Sequence, residues 1–234
     1  MLGTLLDYLY VSFENRTGEI PKEIQHIKID DGNFEKWICF LPEFALKFGY
    51  IRNKIFSKRN CDVYVIPKTA IQPNPESTKE LLEKITENAI NNYSEKREKI
   101  NILGVSLGNA PAYKFANAFP VNQFVSVAPG SFLPECVWES IATRRMAENS
   151  RETLDDYREA LDDFSPIRNL DKLGANSLEV YLGKCDKMIP YKRGKELVDE
   201  MKKRELNPRT TIFPASGHCE TILFFAKSFA ISQW

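Results

Sequence analysis

The chain has 234 residues, enough for one domain with a substantial core, and its hydrophobic content of 43% is ordinary for a globular protein. Lysine plus arginine and aspartate plus glutamate both total 32, so no net charge favours nucleic acid or an anionic membrane as a partner. The five cysteines have no CxxC spacing, which argues against a zinc site or a disulfide framework and for reduced thiols in a cytoplasm. No stretch has the form of a signal peptide or a transmembrane helix, so we expect a cytoplasmic protein without integral membrane association.

The elements before residue 70 are predicted from strand-like runs. Residues 25–30 alternate polar and apolar side chains, which predicts a half-exposed strand. Residues 37–41 and 61–66 are predominantly apolar, as expected for strands covered on both faces, and residues 44–57 between them have the pattern of a helix. His26, one of only two histidines, lies in the first run, where we expect it to be structural.

Two helices are predicted in the middle of the chain. Ser77-Thr78-Lys79-Glu80 has the pattern of a capping box, in which the serine and glutamate side chains satisfy free backbone donors at a helix start. Apolar residues then recur at helical spacing as far as Tyr93. After a strand at residues 100–105, a second helix is predicted over residues 107–119, and Pro111 is expected to cost it one backbone hydrogen bond.

The alternation of strand and helix continues to the end of the chain with one interruption. Strands are predicted over residues 123–128, 177–182 and 210–213, and helices over residues 191–206 and 221–231. Residues 131–164 are helical in propensity, highly charged, and contain no candidate strand. The sequence therefore predicts a single α/β domain over residues 1–234, with a mostly parallel central sheet, helices on both faces and a small helical insertion.

The most informative motif is Gly104-Val105-Ser106-Leu107-Gly108, which follows an apolar strand and opens a helix. Gly-x-Ser-x-Gly in that context is the pattern of a nucleophile elbow, a tight turn that holds a serine hydroxyl out at the edge of a sheet. The glycines are needed because the turn brings neighbouring backbones so close that a Cβ would collide. The pattern alone arises by chance in such a chain with a probability of about 0.1, so a base and an acid are required elsewhere.

Two further reactive side chains follow later predicted strands. Asp186 comes after the strand at residues 177–182, within Gly-x-x-Asp-x-x-Ile-Pro, and His218 comes after the strand at residues 210–213, within Gly-His. The carboxyl ends of parallel strands meet at one edge of a sheet, and the loops there carry function. We therefore expect both side chains to lie near Ser106.

These three motifs together resemble the α/β-hydrolase family of serine hydrolases, in which nucleophile, acid and histidine occur in this order, each after a strand. The resemblance covers roughly residues 36–234. It implies that Ser106 is the nucleophile, His218 the general base and then acid, and Asp186 the carboxylate that orients the imidazole. The chemistry needs these residue types because a serine hydroxyl is a poor nucleophile until a base takes its proton, and imidazole does so near neutral pH.

The resemblance also implies an oxyanion hole of two backbone N–H groups for the charge of the tetrahedral intermediate. One belongs to the residue after the nucleophile, Leu107. The other comes from the loop after the strand at residues 37–41, where many members have His-Gly and this chain has Leu41-Pro42-Glu43-Phe44. Proline has no N–H, so we expect the donor at Glu43, with Phe44 as the alternative. The Glu43 carboxylate is expected to disfavour anionic acyl groups unless it points away.

Residues 131–164 correspond in position to the lid that many family members insert. From this segment Phe132 and Trp138, and from flanking loops Phe44 and Met188, are the expected lining of a substrate pocket, with simple packing of the lid helices on the core as an equal alternative. Basic residues around the Asp186 loop could attract an anionic leaving group, although a solvated surface is favoured. They are Lys184, Lys187, Lys192 and Arg193.

The sequence therefore predicts a serine hydrolase that cleaves a carboxylic ester or thioester of a small molecule through an acyl-enzyme on Ser106. No metal, organic cofactor or nucleic-acid partner is expected. One alternative is a non-catalytic binding or scaffold protein with the same fold, and another is an enzyme that uses the triad on an amide or a carbon–carbon bond. Acyl chain length, leaving group and oligomeric state stay open at this level.

Overall fold

The computed structural model describes residues 24–29, 35–47, 60–93 and 100–231. Seven strands in these ranges belong to one sheet: β1 (His26–Ile29), β2 (Lys36–Pro42), β3 (Asn60–Ile66), β4 (Ile100–Val105), β5 (Val121–Val127), β6 (Ala175–Gly183) and β7 (Arg209–Phe213). Their order is β1-β3-β2-β4-β5-β6-β7. β1 is antiparallel to β3 and the other neighbours are parallel, which confirms the predicted mostly parallel sheet.

Helices pack on both faces of this sheet. They are α1 (Glu43–Lys47), α2 (Pro75–Tyr93), α3 (Asn109–Ala116), α4 (Leu133–Glu139), α5 (Arg144–Asn149), α6 (Leu154–Leu161), α7 (Tyr191–Lys203) and α8 (His218–Ile231). Helices α2, α3 and α7 contribute to a buried apolar cluster on one face, whereas α1 and α8 contribute to a second cluster on the other. The predicted α/β architecture is therefore confirmed.

Strand β2 shows why the central strands are continuous apolar runs in the sequence. Successive side chains of a strand point to opposite faces of the sheet. Ile38 and Phe40 join the first cluster, whereas Trp37, Cys39 and Leu41 join the second. Because helices cover both faces, all of these side chains are buried and no polar alternation is left.

Helix α2 begins two residues before the predicted capping box. Its first residue is Pro75, and the Asn74 side-chain oxygen accepts the N–H of Glu76 at 2.9 Å. Proline suits a first helical position because its missing N–H would have no partner there. Asn74 therefore caps the helix and Ser77 lies inside it, so the predicted cap position is wrong.

Helix α3 is shorter than predicted. A 3-10 turn over Ser106–Gly108 comes first, and the α-helix begins only at Asn109 and ends at Ala116. Pro111 therefore lies in the first turn of the α-helix, where proline is tolerated, and the helix continues through it to Ala116. The loss of one backbone hydrogen bond at Pro111 stays a prediction.

The segment between β5 and β6 is helical, as predicted. Helices α4, α5 and α6 are followed by 3-10 turns over Asp162–Phe164 and Pro166–Asn169. Inward residues of this insertion form a third apolar cluster with Leu82 of α2 and Ala110 of α3. The insertion is thus packed against the helix that follows Ser106.

The remaining expectations concern His26, helix α1, the cysteines and membrane-spanning helices. His26 lies in β1, and its ring stacks on Tyr64 with centroids 4.5 Å apart. Helix α1 ends at Lys47, and residues 48–57 of the helix predicted there lie outside the described residues. All five cysteines are free thiols. Across the described part of the chain, no helix has the length and apolarity needed to span a bilayer.

Candidate active site

The turn after β4 holds Ser106 in a backbone conformation that non-glycine residues rarely adopt. Its φ is 53°, in the left-handed region, whereas Val105 before it is extended at φ −126°. Such a conformation costs on the order of 1–3 kcal/mol and persists only where the surroundings enforce it. The chain reverses here from strand to helix, with the serine at the tip of the turn.

Close contacts leave no room for a side chain at either glycine of the motif. A Cβ on Gly108 would lie 2.1 Å from the carbonyl oxygen of Phe40, at the end of the neighbouring strand β2. A Cβ on Gly104 would lie 2.6 Å from the side-chain oxygen of Asn109. The elbow therefore packs directly on β2 and on its own following helix, as the Gly-x-Ser-x-Gly motif predicts.

Asn109 is a buried support of the elbow that sequence reasoning missed. Its amide nitrogen donates to the carbonyl oxygens of Ser106 at 2.9 Å and Val127 at 3.0 Å. Its side-chain oxygen accepts from the Ser126 hydroxyl at 2.7 Å. One amide thus ties the turn of β4 to the end of β5, and the only available signal was a polar residue directly after the motif.

Ser106, His218 and Asp186 form one hydrogen-bonded chain. His218 Nε2 lies 2.7 Å from Ser106 Oγ, and His218 Nδ1 lies 2.7 Å from Asp186 Oδ2. All three residues are buried, with His218 fully so. The serine is the outermost at 8% exposure, which leaves its hydroxyl accessible from the adjoining cleft.

The loop after β6 fixes the Asp186 carboxylate. Its Oδ1 accepts the backbone N–H groups of Met188 at 2.9 Å and Ile189 at 2.8 Å, while Oδ2 faces the imidazole. His218 is the first residue of α8, and its ring lies 6.2 Å from that of Phe44, centroid to centroid. The acid is thus held by two backbone N–H groups of its own loop, and the base by its position at the start of a helix.

Several solved structures share this arrangement of sheet and helices. An esterase of Pyrococcus furiosus superposes with a TM-score of 0.59 at 14% identity, over 90% of this chain and 89% of its own. Acyl-protein thioesterase 2 of Zea mays superposes at 0.51 and 14% identity, over 91% and 99%. The acylaminoacyl peptidase of Pyrococcus horikoshii superposes at 0.56 and 13% identity, over 89% of this chain. The chain has the α/β-hydrolase fold.

The α/β-hydrolase fold is as much as these likenesses show, because the identities are low. This chain spans only 39% of the length of the peptidase. No protein-family model matches the sequence, and no curated protein matches it either. The three counterparts are named for activities on different bonds, so these likenesses assign no reaction to this chain.

Both expected oxyanion donors of this α/β-hydrolase fold line the cleft beside Ser106. Leu107 follows the serine, and Glu43 begins α1 directly after β2. The close approach of Gly108 to Phe40 holds these two turns against one another. The Glu43 carboxylate accepts the backbone N–H of Lys68 at 3.2 Å, so its side chain is directed to the loop after β3.

The cleft is mostly apolar, and its lining corrects part of the sequence prediction. Phe44 and Met188 line it as expected, but Phe132 and Trp138 do not. Phe132 instead lies under the Arg168 guanidinium, and the Trp138 ring packs edge-on against Tyr157. Helix α4, which follows Phe132 and contains Trp138, is oriented so that Leu133 and Val137 face the cleft. One residue along a helix turns the side chain by about 100°, which is why the assignment failed.

Two of the four basic residues near the Asp186 loop, Lys192 and Arg193, form ion pairs. Arg193 makes paired contacts to the Glu139 carboxylate at 2.7 and 3.1 Å, and Lys192 reaches the same group at 2.8 Å. These bonds keep the pKa of Arg193 above its ordinary value. They tie α7 to the end of α4, which favours a structural role over recognition of an anionic leaving group.

The cleft also contains a cysteine thiol. The Cys136 thiol lines the cleft, and burial raises its pKa, so it stays a protonated, poorly nucleophilic thiol. Among the described residues there is no group of three or more histidine, cysteine, aspartate or glutamate side chains that could hold a metal ion. Ser106 is therefore the candidate nucleophile of this cleft.

Proposed function

We propose that this protein is a serine hydrolase that cleaves a carboxylic ester or thioester through an acyl-enzyme on Ser106. The observation that carries the proposal is the hydrogen-bonded chain from Ser106 Oγ through His218 to Asp186, with 2.7 Å at each link. Nucleophile, base and orienting acid at such distances are the signature of serine-dependent acyl transfer. The mostly apolar cleft beside the serine favours a small-molecule acyl substrate.

Acylation follows from the position of the imidazole. As Ser106 Oγ attacks the substrate carbonyl carbon, its proton passes to His218 Nε2, which lies 2.7 Å away. The tetrahedral intermediate collapses when the carbon–oxygen or carbon–sulfur bond to the leaving group breaks. The imidazolium returns the proton to the leaving alcohol or thiol, and the acyl group stays bonded to the serine oxygen.

Deacylation repeats these steps with water as the nucleophile. His218 Nε2 takes a proton from the water as the water oxygen attacks the acyl carbon. The serine then leaves with that proton and the acid product is released. His218 Nδ1–H donates a hydrogen bond to the Asp186 carboxylate throughout. This bond keeps Nε2 free to accept a proton and stabilises the imidazolium that forms.

The oxyanion of both intermediates needs donors that are already oriented. The backbone N–H groups of Leu107 and Glu43 are our assignment, because both residues line the cleft next to the serine. The contact of the Glu43 carboxylate with Lys68 directs that negative charge towards the loop after β3. Removal of one such donor typically costs on the order of a hundredfold or more in kcat.

A serine-directed probe tests the proposal. Incubation with a fluorophosphonate should give a covalent adduct on Ser106, and turnover of p-nitrophenyl esters should fall on the order of a millionfold in Ser106→Ala. Ser150→Ala is the matched control, since this serine lies in the insertion and bonds to the carbonyl oxygen of Ala147. The control should label and turn over like the unmodified protein.

The competing interpretations give different results in the same experiment. An unlabelled Ser106 in a protein without ester turnover would contradict the proposal and favour a binding protein with this fold. Turnover that persists in Ser106→Ala would contradict Ser106 as the nucleophile. Labelling of Ser106 without ester or thioester turnover would direct the search to amide or carbon–carbon bonds. A panel of acyl esters, acyl thioesters and acyl amides with one common acyl group separates these reactions.

A further inference from the structure

The cleft beside Ser106 has two sides of different origin. On one side lie Phe44 and Met188. The Phe44 ring contacts the His218 ring, and the backbone N–H of Met188 donates to the Asp186 carboxylate. On the other side lie five apolar residues of the third cluster or packed against it. They are Ile71, Leu107, Ala110, Leu133 and Val137.

Three polar side chains on the second side make hydrogen bonds within the protein. The Thr143 hydroxyl donates to the carbonyl oxygen of Val137 at 2.5 Å, and Ser140 Oγ accepts the N–H of Ala142 at 3.1 Å. Asn109 is occupied by its three bonds beneath the elbow. A polar substituent on a ligand would lose its hydrogen bonds to water and would meet side chains that already have hydrogen-bond partners. Binding of a polar chain is therefore disfavoured relative to a hydrocarbon chain.

Helix α4 is held in place as a wall of this side. A Cβ on Gly130 would lie 2.1 Å from Cys136 Sγ, so α4 packs directly on the backbone after β5. The N–H of Ile141 donates to the Lys187 carbonyl oxygen at 3.1 Å, beside the acid. The Glu139–Arg193 ion pair fixes the same end of the helix. Leu133 and Val137 therefore face the cleft from a fixed position.

We propose that Leu133 and Val137 determine the acyl specificity, and that the cleft accepts an unsubstituted hydrocarbon acyl chain against α4. The leaving group then lies on the side of Phe44 and Met188. That the bound chain is an acyl group rests on the proposed function, but the binding of a hydrocarbon chain in the cleft can be measured without turnover. Each buried methylene should then strengthen binding by a constant factor until the wall is reached.

Binding of neutral acyl mimics tests the site independently of catalysis. Titration calorimetry should show that hexanamide binds the unmodified protein on the order of a hundredfold tighter than acetamide, at about fourfold for each methylene. Val137→Trp should abolish this difference by filling the side of the cleft that α4 lines. Trp138→Phe is the matched control on the next residue of α4, which faces Tyr157, and should keep the difference.

Turnover gives the second measurement. The ratio of kcat/KM for p-nitrophenyl hexanoate over acetate should fall at least about tenfold in Val137→Trp and stay unchanged in Trp138→Phe. An ether analogue of the hexanoate, with one methylene replaced by oxygen, should be a poorer substrate than the hexanoate itself. Leu133→Ala removes bulk from the cleft and should raise the ratio of kcat/KM for branched over linear acyl esters. This variant provides the test if Val137→Trp does not fold.

The outcomes separate the two proposals. Equal binding of hexanamide and acetamide by the unmodified protein, or an equal loss in Val137→Trp and Trp138→Phe, would overturn the hydrocarbon site. Hexanamide binding that depends on Val137 in a protein whose Ser106 cannot be labelled would instead overturn the serine hydrolase and keep the site. Labelling together with a chain-length preference that moves only with α4 supports both.

Discussion

The strained φ of Ser106 is enforced by residues that leave no space for a larger side chain. Gly108 approaches the Phe40 carbonyl oxygen, and Gly104 approaches Asn109. These are backbone and buried contacts, which cannot yield as the end of a flexible surface side chain can. The position of the Ser106 hydroxyl therefore depends on the absence of a Cβ at Gly104 and Gly108 as well as on its hydrogen bond to His218.

Gly108→Ala should therefore destabilise the fold and the site together. Its Cβ would meet Phe40 O at 2.1 Å, so β2 or the elbow has to shift, at a cost of about 1–3 kcal/mol in the free energy of unfolding. A displacement of the serine by about 1 Å would lower kcat/KM on the order of a hundredfold. Urea unfolding and ester turnover measure the two effects.

Gly174→Ala is the control for this prediction. The nearest atom to its added Cβ is the Lys172 carbonyl oxygen at 4.0 Å, an ordinary contact. We expect a change in unfolding free energy within about 1 kcal/mol and unaltered turnover. Similar losses in Gly108→Ala and Gly174→Ala would show that the close contact at the elbow is not the cause.

At the scale of elements, the start of α2 shows how a local motif can be displaced. Ser77-Thr78-Lys79-Glu80 satisfies the capping-box pattern, yet the helix begins at Pro75 and Asn74 supplies the cap. Thr78 has a different task, since its hydroxyl oxygen accepts the N–H of Gln72 at 2.9 Å. The preceding proline and asparagine carried the stronger signal, because proline fits a first helical position and asparagine is among the best caps.

Asn74→Ala should cost about 1 kcal/mol of unfolding free energy, because the N–H of Glu76 loses its acceptor. Ser77→Ala should change it by no more than about 0.5 kcal/mol, since that residue lies within the helix. Chemical unfolding of both variants, followed by circular dichroism, gives the comparison. A larger loss in Ser77→Ala than in Asn74→Ala would restore the capping box as the true start.

Helix α4 shows the limit of sequence reasoning for the pocket. Its helical pattern is visible in the sequence, but large apolar residues occur on more than one side of the helix and at its N-cap: Leu133, Val137 and Trp138 in the helix, and Phe132 before it. The rotation that selects Leu133 and Val137 comes from the packing of Cys136 on Gly130. That contact joins residues from two elements, so no periodicity within α4 could have revealed it.

At the scale of the whole molecule, a polar cluster joins the antiparallel edge of the sheet to α2. Asp62 on β3 lies 3.2 Å from Lys36 of β2 and 3.4 Å from His26 of β1, and it accepts a hydrogen bond from Tyr93 of α2. Burial raises the pKa of the Asp62 carboxyl, but the Tyr93 hydrogen bond and the Lys36 charge outweigh it, so the net pKa lies below 3.8. Folding therefore favours the ionised form.

This sign sets a pH dependence of stability. The contribution of Asp62 is fully present above its unfolded pKa of 3.8 and is lost as pH falls through the lower folded value. Asp62→Asn should lower the unfolding free energy by about 1–3 kcal/mol at neutral pH. The difference from the unmodified protein should shrink between about pH 4 and pH 2, as measured by urea unfolding.

Glu159→Gln is the control, because this residue is exposed on α6 and its substitution should leave the unfolding free energy at neutral pH nearly unchanged. The slope of the unfolding free energy against pH in Asp62→Asn should be reduced rather than abolished, because the Arg193 and Lys192 contacts also lower the pKa of Glu139 against the effect of its burial. A constant difference between Asp62→Asn and the unmodified protein down to pH 2 would contradict the assigned sign.

The alternation of strands and helices, the elbow and the order of the three candidate catalytic residues are all visible in the amino-acid sequence. These features are local: buried strands leave apolar runs, a tight turn requires glycine, and reactive residues follow strand ends. Only the tertiary structure decided that Ser106, His218 and Asp186 meet at 2.7 Å. It also decided which face of α4 lines the cleft and that Asn109 supports the elbow. Those facts depend on contacts between residues far apart in the chain, which no local pattern encodes.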